Sequence, residues 1–176
     1  MQKDFITVTP DSGGSGSTTV TVAASANQTE STRSTSLSVA GGGMTRTVGA
    51  SQAAGVVTWN YYFSVTPTSL SFVAGGETKS VTVTSYRKKV INGVETSTQE
   101  NVPWTVTGSS GFNVADTRVV SEPNPNNNSR TGTATYKQDG TNKTVTVDLA
   151  QAAPKINTLR IEITTPRLNR KSGVYV

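Results

Sequence analysis

Cysteine and histidine are both missing from the 176-residue chain. Without cysteine there is no disulfide framework, thiol nucleophile or thiolate metal site. Without histidine, the usual general base, the commonest metal ligand and the ordinary physiological-pH switch go together. A Ser-His-Asp triad or a histidine zinc centre cannot be built. The 11 carboxylates are scattered, so a glycosidase pair would need folding to bring two of them together. These absences point away from an enzyme, and no cofactor or metal is expected. No hydrophobic run approaches the about 18 residues that span a bilayer, so no membrane partner is expected. Met1-Gln2-Lys3-Asp4-Phe5 has neither the apolar core nor the cleavage site of a secretory signal. The expectation is a chain made and used inside a cell, or an excised piece of something exported.

What is present is threonine, serine, valine and glycine in short alternating runs, with no stretch of helical period. That composition favours strands throughout, and the length allows one large or two small domains. The fold expected is all-β.

The net charge of +5 is unevenly placed. Residues 1–60 carry three bases and three acids, and residues 61–153 carry eight and seven. Residues 154–176 carry Lys155, Arg160, Arg167, Arg170 and Lys171 against Glu162 alone. Two readings stand: a solvated basic end, or an arm that docks on an acidic surface. Bases without interleaved aromatics give no reason to expect nucleic acid.

The most informative stretch is 66–106. Leu70 and Phe72 alternate with polar neighbours, as do Val81 and Val83, and Gly75-Gly76 between them reads as a hairpin connection. Trp104 and Val106 start a third strand, and the Trp104 ring is expected at the centre of a sandwich core. Val145 and Val147 are inward residues of a later hairpin turning at Asp139-Gly140. Ile91-Asn92-Gly93-Val94 is the strongest short-range turn signal. Arg87-Lys88-Lys89 on one arm reads as an edge strand kept soluble by charge, or as a phosphate-binding patch. In the N-terminal part, Val20, Val22 and Ala24 share one face, and Leu37 and Val39 point inward. Trp59, Tyr61 and Tyr62, between the two parts, read as a sugar-stacking platform with Tyr86 or as an interdomain contact.

Ser31 to Val39 resembles Asn128 to Tyr136, and both segments lead through a glycine turn into a strand closing on Gln-Ala-Ala, at Gln52 and Gln151. Phe5 and Phe112 open comparable positions. A repeat with a shared closing tripeptide argues for tandem units of one type.

Pro67, Leu70-Ser71-Phe72, Gly75-Gly76, Val81 to Ser85, Trp104-Thr105-Val106, Arg130 to Thr133 and Thr144 to Val147 with Gln151 together resemble the BACON domain. That resemblance implies an immunoglobulin-like sandwich of the kind found in tandem in secreted carbohydrate-active proteins of gut bacteria and in their bacteriophages. It covers residues 62–153 fully and residues 5–54 as a second half only. The 86–99 insertion departs from the usual short link. The layout expected is a partial sandwich at 1–54, a linker at 55–61, a complete sandwich at 62–153 and a basic C-terminal strand and arm at 154–176.

The first unit lacks the Leu-Ser-Phe, Gly-Gly and Trp half, so it leaves an apolar face and strand edges uncovered. The alternating segment Thr158 to Thr164, a neighbouring protein or another copy could cover them by β-augmentation; the other reading is a smaller sheet packed on the linker, or a unit cropped from a larger one. The expected function is therefore a non-enzymatic virion protein, a decoration or auxiliary capsid protein of a tailed phage. It would be present in many copies and dock on capsid or other virion proteins through strands and tail. Arg160, Arg167, Arg170 and Lys171 would meet acidic residues there, with Ile161 and Ile163 adding buried area. The alternative is a carbohydrate- or mucin-binding module of an exported, extracellular or cell-surface protein, using Trp59, Tyr61, Tyr62 or Tyr86 against polysaccharide.

Overall fold

The computed structural model describes residues 2–155, and all regular structure among them is strand. The tail residues Arg160, Ile161, Ile163, Arg167, Arg170 and Lys171 lie outside the described residues. The chain is all-β, in several small sheets that form two sandwich-like units.

The first unit holds β1 (Gln2–Lys3), β2 (Ile6–Thr9), β3 (Thr21–Ala24), β4 (Arg33–Gly41) and β5 (Met44–Gln52). β1, β2 and β3 make one antiparallel sheet, and β4 and β5 are a two-stranded hairpin. Gly42 and Gly43 both take positive φ, 57° and 76°, as a type I′ turn needs. The two sheets meet over a small core of Ile6, Val8 and Leu37, with Phe5 and Ala50 against it.

The second unit holds β6 (Val57–Thr66), β7 (Ser69–Phe72), β8 (Glu77–Ser80), β9 (Thr82–Ile91), β10 (Val94–Asn101), β11 (Trp104–Gly108), β12 (Phe112–Ala115), β13 (Arg118–Ser121), β14 (Arg130–Gln138) and β15 (Thr144–Gln151). One sheet runs β11-β14-β15-β7, with β7 parallel to β15. Two others run β12-β13-β8 and β10-β9-β6. Between them lie Val65, Leu70, Phe72, Val81, Phe112, Val119, Ala134, Tyr136, Val147 and Leu149, with Val83, Trp104 and Val145 half-buried at the margin.

Four expectations change. Residues 57–61 are not a linker but the first half of β6, paired with β9 along its whole length. Gly75-Gly76 does not close a hairpin, because β7 and β8 belong to different sheets and the turn crosses the sandwich. Gly76 has φ 83°, and a Cβ there would lie 2.5 Å from the Ser121 carbonyl oxygen. Arg87-Lys88-Lys89 is on the central strand of its sheet, not at an edge. Trp104 is half-buried, and the fully buried ring is Tyr136, tilted against it at 5.6 Å between centroids. The reason is position: β11 is an edge strand, whereas β14 lies between β11 and β15.

The 86–99 insertion reaches back to the first unit. Its Asn92-Gly93 turn has both residues at positive φ, 47° and 83°. Asn92 exchanges bonds with Val56, its Oδ1 accepting from Val56 N–H and its own N–H donating to the Val56 carbonyl, both at 2.9 Å. Its side-chain amide donates to the Asn27 carbonyl (2.8 Å), Gly55 N–H donates to the Thr29 carbonyl (2.8 Å), and Lys89 pairs with Glu30 at 2.7 Å.

Candidate functional site

The repeat seen in the sequence is repeated in three dimensions, and comparing its copies locates the candidate site. Arg33 opposes Gln52 in the β4–β5 ladder, as Arg130 opposes Gln151 in the β14–β15 ladder. Arg33 Nε donates to Gln52 Oε1 (2.8 Å), and Arg130 Nε donates to Gln151 Oε1 (2.6 Å). A second guanidinium nitrogen reaches the Ser25 carbonyl in one unit and the Glu122 carbonyl in the other. Each guanidinium also lies over a phenylalanine ring, Phe5 at 4.4 Å and Phe112 at 5.4 Å. Buried Asn27 donates to the Ser31 and Ala53 carbonyls, and buried Asn124 does the same to Asn128 and Ala152. These asparagines, arginines and glutamines escaped the sequence reading as a group, although each Asn stands six residues before its Arg.

With that frame fixed, residues of the first unit pair one-to-one with those of the second. Leu37 opposes Val48 as Ala134 opposes Val147, and Val8 opposes Val22 as Val114 opposes Val119. Val39, two residues beyond Leu37 on β4, takes the place of Tyr136, two beyond Ala134 on β14. Val119, Tyr136 and Val147 are each 0% exposed, whereas Val22, Val39 and Val48 are 47%, 59% and 52% exposed. The same inward positions are sealed in one unit and open in the other.

The strands that seal the second unit are β7 beside β15, β11 beside β14 and β8 beside β13. The first unit has none of them, so β5, β4 and β3 each keep a free edge among the described residues. Gln52 registers the loss. Gln151 Nε2 donates to the carbonyls of Val73 (3.0 Å), Ala74 (3.3 Å) and Glu122 (2.9 Å), while Gln52 Nε2 reaches the Ser25 carbonyl (3.0 Å). Val73 and Ala74 follow β7, the strand the first unit lacks.

The aromatic candidates do not form one platform. In the β6–β9 ladder Trp59 and Tyr61 oppose Lys89 and Arg87 on one face, and Tyr62 opposes Tyr86 on the other. Arg87 lies over the Trp59 ring at 4.1 Å and Lys89 at 5.7 Å, and Arg87 also pairs with Glu100 at 2.6 Å. On the opposite face Tyr62 and Tyr86 stack on each other, centroids 4.8 Å apart. The Tyr62 hydroxyl donates to Glu95, Asn60 donates to the same carboxylate at 2.7 Å, and Lys88 stands 3.7 Å from it. These donors hold the Glu95 carboxyl below its ordinary pKa, the Tyr62 hydroxyl contributing most. The same bond raises the Tyr62 phenol. All three bases of the 87–89 run thus have acidic partners, which weakens the case for a phosphate site. No cluster of carboxylates with metal-binding geometry occurs among the described residues.

Architecture and surface define a tandem β-sandwich protein whose distinguishing feature is a half-open first unit. Residues 2–53, which are that unit, match the family described as "BACON: Putative binding domain, N-terminal". The sequence resemblance had placed its complete copy at 62–153, so the match falls on the other member of the repeat. A solved structure, the NMR structure of a protein from Bacteroides vulgatus ATCC 8482, is 26% identical over 56% of this chain and 93% of its own, with a TM-score of 0.42. No curated protein matches the chain.

Proposed function

We propose that the chain is a non-enzymatic interaction protein that docks on a protein partner through the open face of its first unit. The observation that carries this reading is the half-exposure of Val22, Val39 and Val48 at positions the second unit buries completely. Covering the exposed half of each valine stabilises a complex by roughly 1 kcal/mol apiece, and three free strand edges offer backbone bonds in addition. The match of this unit to a binding-domain family supports the same reading.

The setting proposed is the shell of a tailed bacteriophage, with the chain as an auxiliary, decoration-type capsid protein on virion proteins. The resemblance to modules carried by such phages supports it, and the basic tail at Arg160, Arg167, Arg170 and Lys171 is the second anchor in this proposal. The test is mass spectrometry and electron cryo-microscopy of purified particles carrying either the full chain or one ending at Lys155. Full chain on the shell and loss of the truncated chain is the expected result. A particle without the chain overturns the setting, and equal incorporation of both overturns the tail's role.

A polysaccharide reading survives at one place, the Tyr62–Tyr86 face, where a half-exposed ring pair is bordered by Asn60, Lys88 and Glu95. Sugar binding there would move Tyr62 and Tyr86 ring resonances on titration with gut polysaccharides and leave Trp59 fluorescence unchanged. Movement of Trp59 alone would place the contact elsewhere.

A further inference from the structure

We infer that the occupant of the open face is an extended strand of a separate polypeptide, laid parallel to β5 with alternate apolar side chains pointing into the first unit. The inference rests on the reading of that unit as an interaction surface and names the chemistry of what it accepts. The pattern is written inside the molecule. In the second unit Ser69, Leu70, Ser71 and Phe72 of β7 run parallel beside Asp148, Leu149, Ala150 and Gln151. Leu70 and Phe72 are buried there, while the two serines stay exposed. Leu149 and Gln151 correspond to Ala50 and Gln52, so the vacant edge is residues 49–52 of β5. A Cβ built on Gly49 meets nothing within 4 Å. The carbonyls just beyond the incoming strand would take the place of Val73 and Ala74 and accept from Gln52 Nε2.

Copies of the described residues cannot close one another by exchanging strands. Each copy contains two of the β12-to-β15 type of half, in the first and second units, and one β6-to-β11 half, which its own second unit uses. Any number of copies therefore leaves one open half per chain. Strand exchange between copies thus leaves the face open, and the occupant inferred is a different polypeptide carrying an apolar-polar-apolar strand.

The probe is a fluorescein-labelled peptide with the sequence of residues 66–74, Thr-Pro-Thr-Ser-Leu-Ser-Phe-Val-Ala, titrated into the isotope-labelled full chain. Saturable binding is expected, with amide shifts at residues 49–52 and none at 148–151. L70R,F72R in the peptide should abolish binding, and Gln52→Ala in the protein should weaken it several-fold. Val48→Arg, an exposed change, should weaken it at least ten-fold. The reversed peptide should bind much less, because the strand direction is reversed. No binding, equal binding of the reversed peptide, or shifts at 148–151 alone overturns the inference. So does binding only to a chain ending at Lys155, which would mean that residues 156–176 occupy the face. A stable dimer whose formation protects Val48 and excludes the peptide would assign the face to a second copy, against the inference. Binding of the peptide by a chain absent from phage particles would leave this inference standing and remove only the virion setting.

Discussion

The side-chain amide of Asn92 donates to the main-chain carbonyl of Asn27 at 2.8 Å, joining the tip of the β9–β10 hairpin to the first unit. Around that bond the packing is tight. A Cβ on Gly55 would lie 2.4 Å from Ile91 Cγ2 and 2.5 Å from the Asn27 carbonyl oxygen. Gly55→Ala should cost about 2 kcal/mol or more, because neither the backbone oxygen nor the buried Ile91 can withdraw. Hydrogen exchange at Val56 and Asn92 should accelerate while the β14–β15 amides keep their protection. Unchanged exchange at both would mean that the junction is not held by these contacts.

The difference between the units predicts unequal mutational costs. Val147→Ala empties space in a fully buried site and should destabilise by about 2 kcal/mol. Val48→Ala, at the matching position, should cost about 0.5 kcal/mol or less in the isolated protein, since half of its surface already meets water. Denaturant unfolding of both variants measures the contrast. Equal losses would show that the first unit is sealed in solution.

The two glutamines repeat that contrast in polar form. Gln151 is 1% exposed and serves Arg130 and three carbonyls, so Gln151→Ala strands several buried groups. A loss of about 3–5 kcal/mol is expected, at about 1–3 kcal/mol for each unsatisfied group. Gln52→Ala should cost about 1 kcal/mol, because its remaining partners are near solvent. Thermal unfolding of the two variants is the measurement.

Acid should act on the Tyr62–Asn60–Glu95–Lys88 group. The folded Glu95 carboxyl titrates below its ordinary value, chiefly through the Tyr62 hydroxyl and then Asn60. Its stabilising contribution is therefore complete above the unfolded value and is lost as pH falls through the folded one. Carboxyl carbon shifts of Glu95 followed from pH 6 to pH 2 should give a midpoint below that of free glutamate. Glu95→Gln should remove that titration and return the Tyr62 phenol, raised by the same bond, toward its usual range.

The strands were legible wherever apolar and polar residues alternate, as in Ser69–Phe72 and Thr144–Gln151, and so was the Asn92-Gly93 turn. Which strands become neighbours was not. Gly75-Gly76 gives the same local signal for a hairpin and for a crossover, and the choice is made by β15, more than 70 residues away, which takes β7 as its parallel partner. The central place of β9 was hidden because its second partner, β6, reads as an apolar linker when seen alone. Trp104 outweighs Tyr136 in size, but residue size does not say which strand has neighbours on both sides. The open face was visible as a missing half. Its residues, Val22, Val39 and Val48, could be ranked only against their buried counterparts in the second unit.

β6 runs unbroken from Val57, two residues past the junction at Gly55, to Thr66 beyond the core residue Val65, paired with β9 over all ten of its residues. Tension applied to the first unit enters β6 at its start and loads that ladder lengthwise, so its bonds share the pull instead of parting one by one. The insertion that lengthens β9 and β10 thus acts as a splice along the connection between the two units.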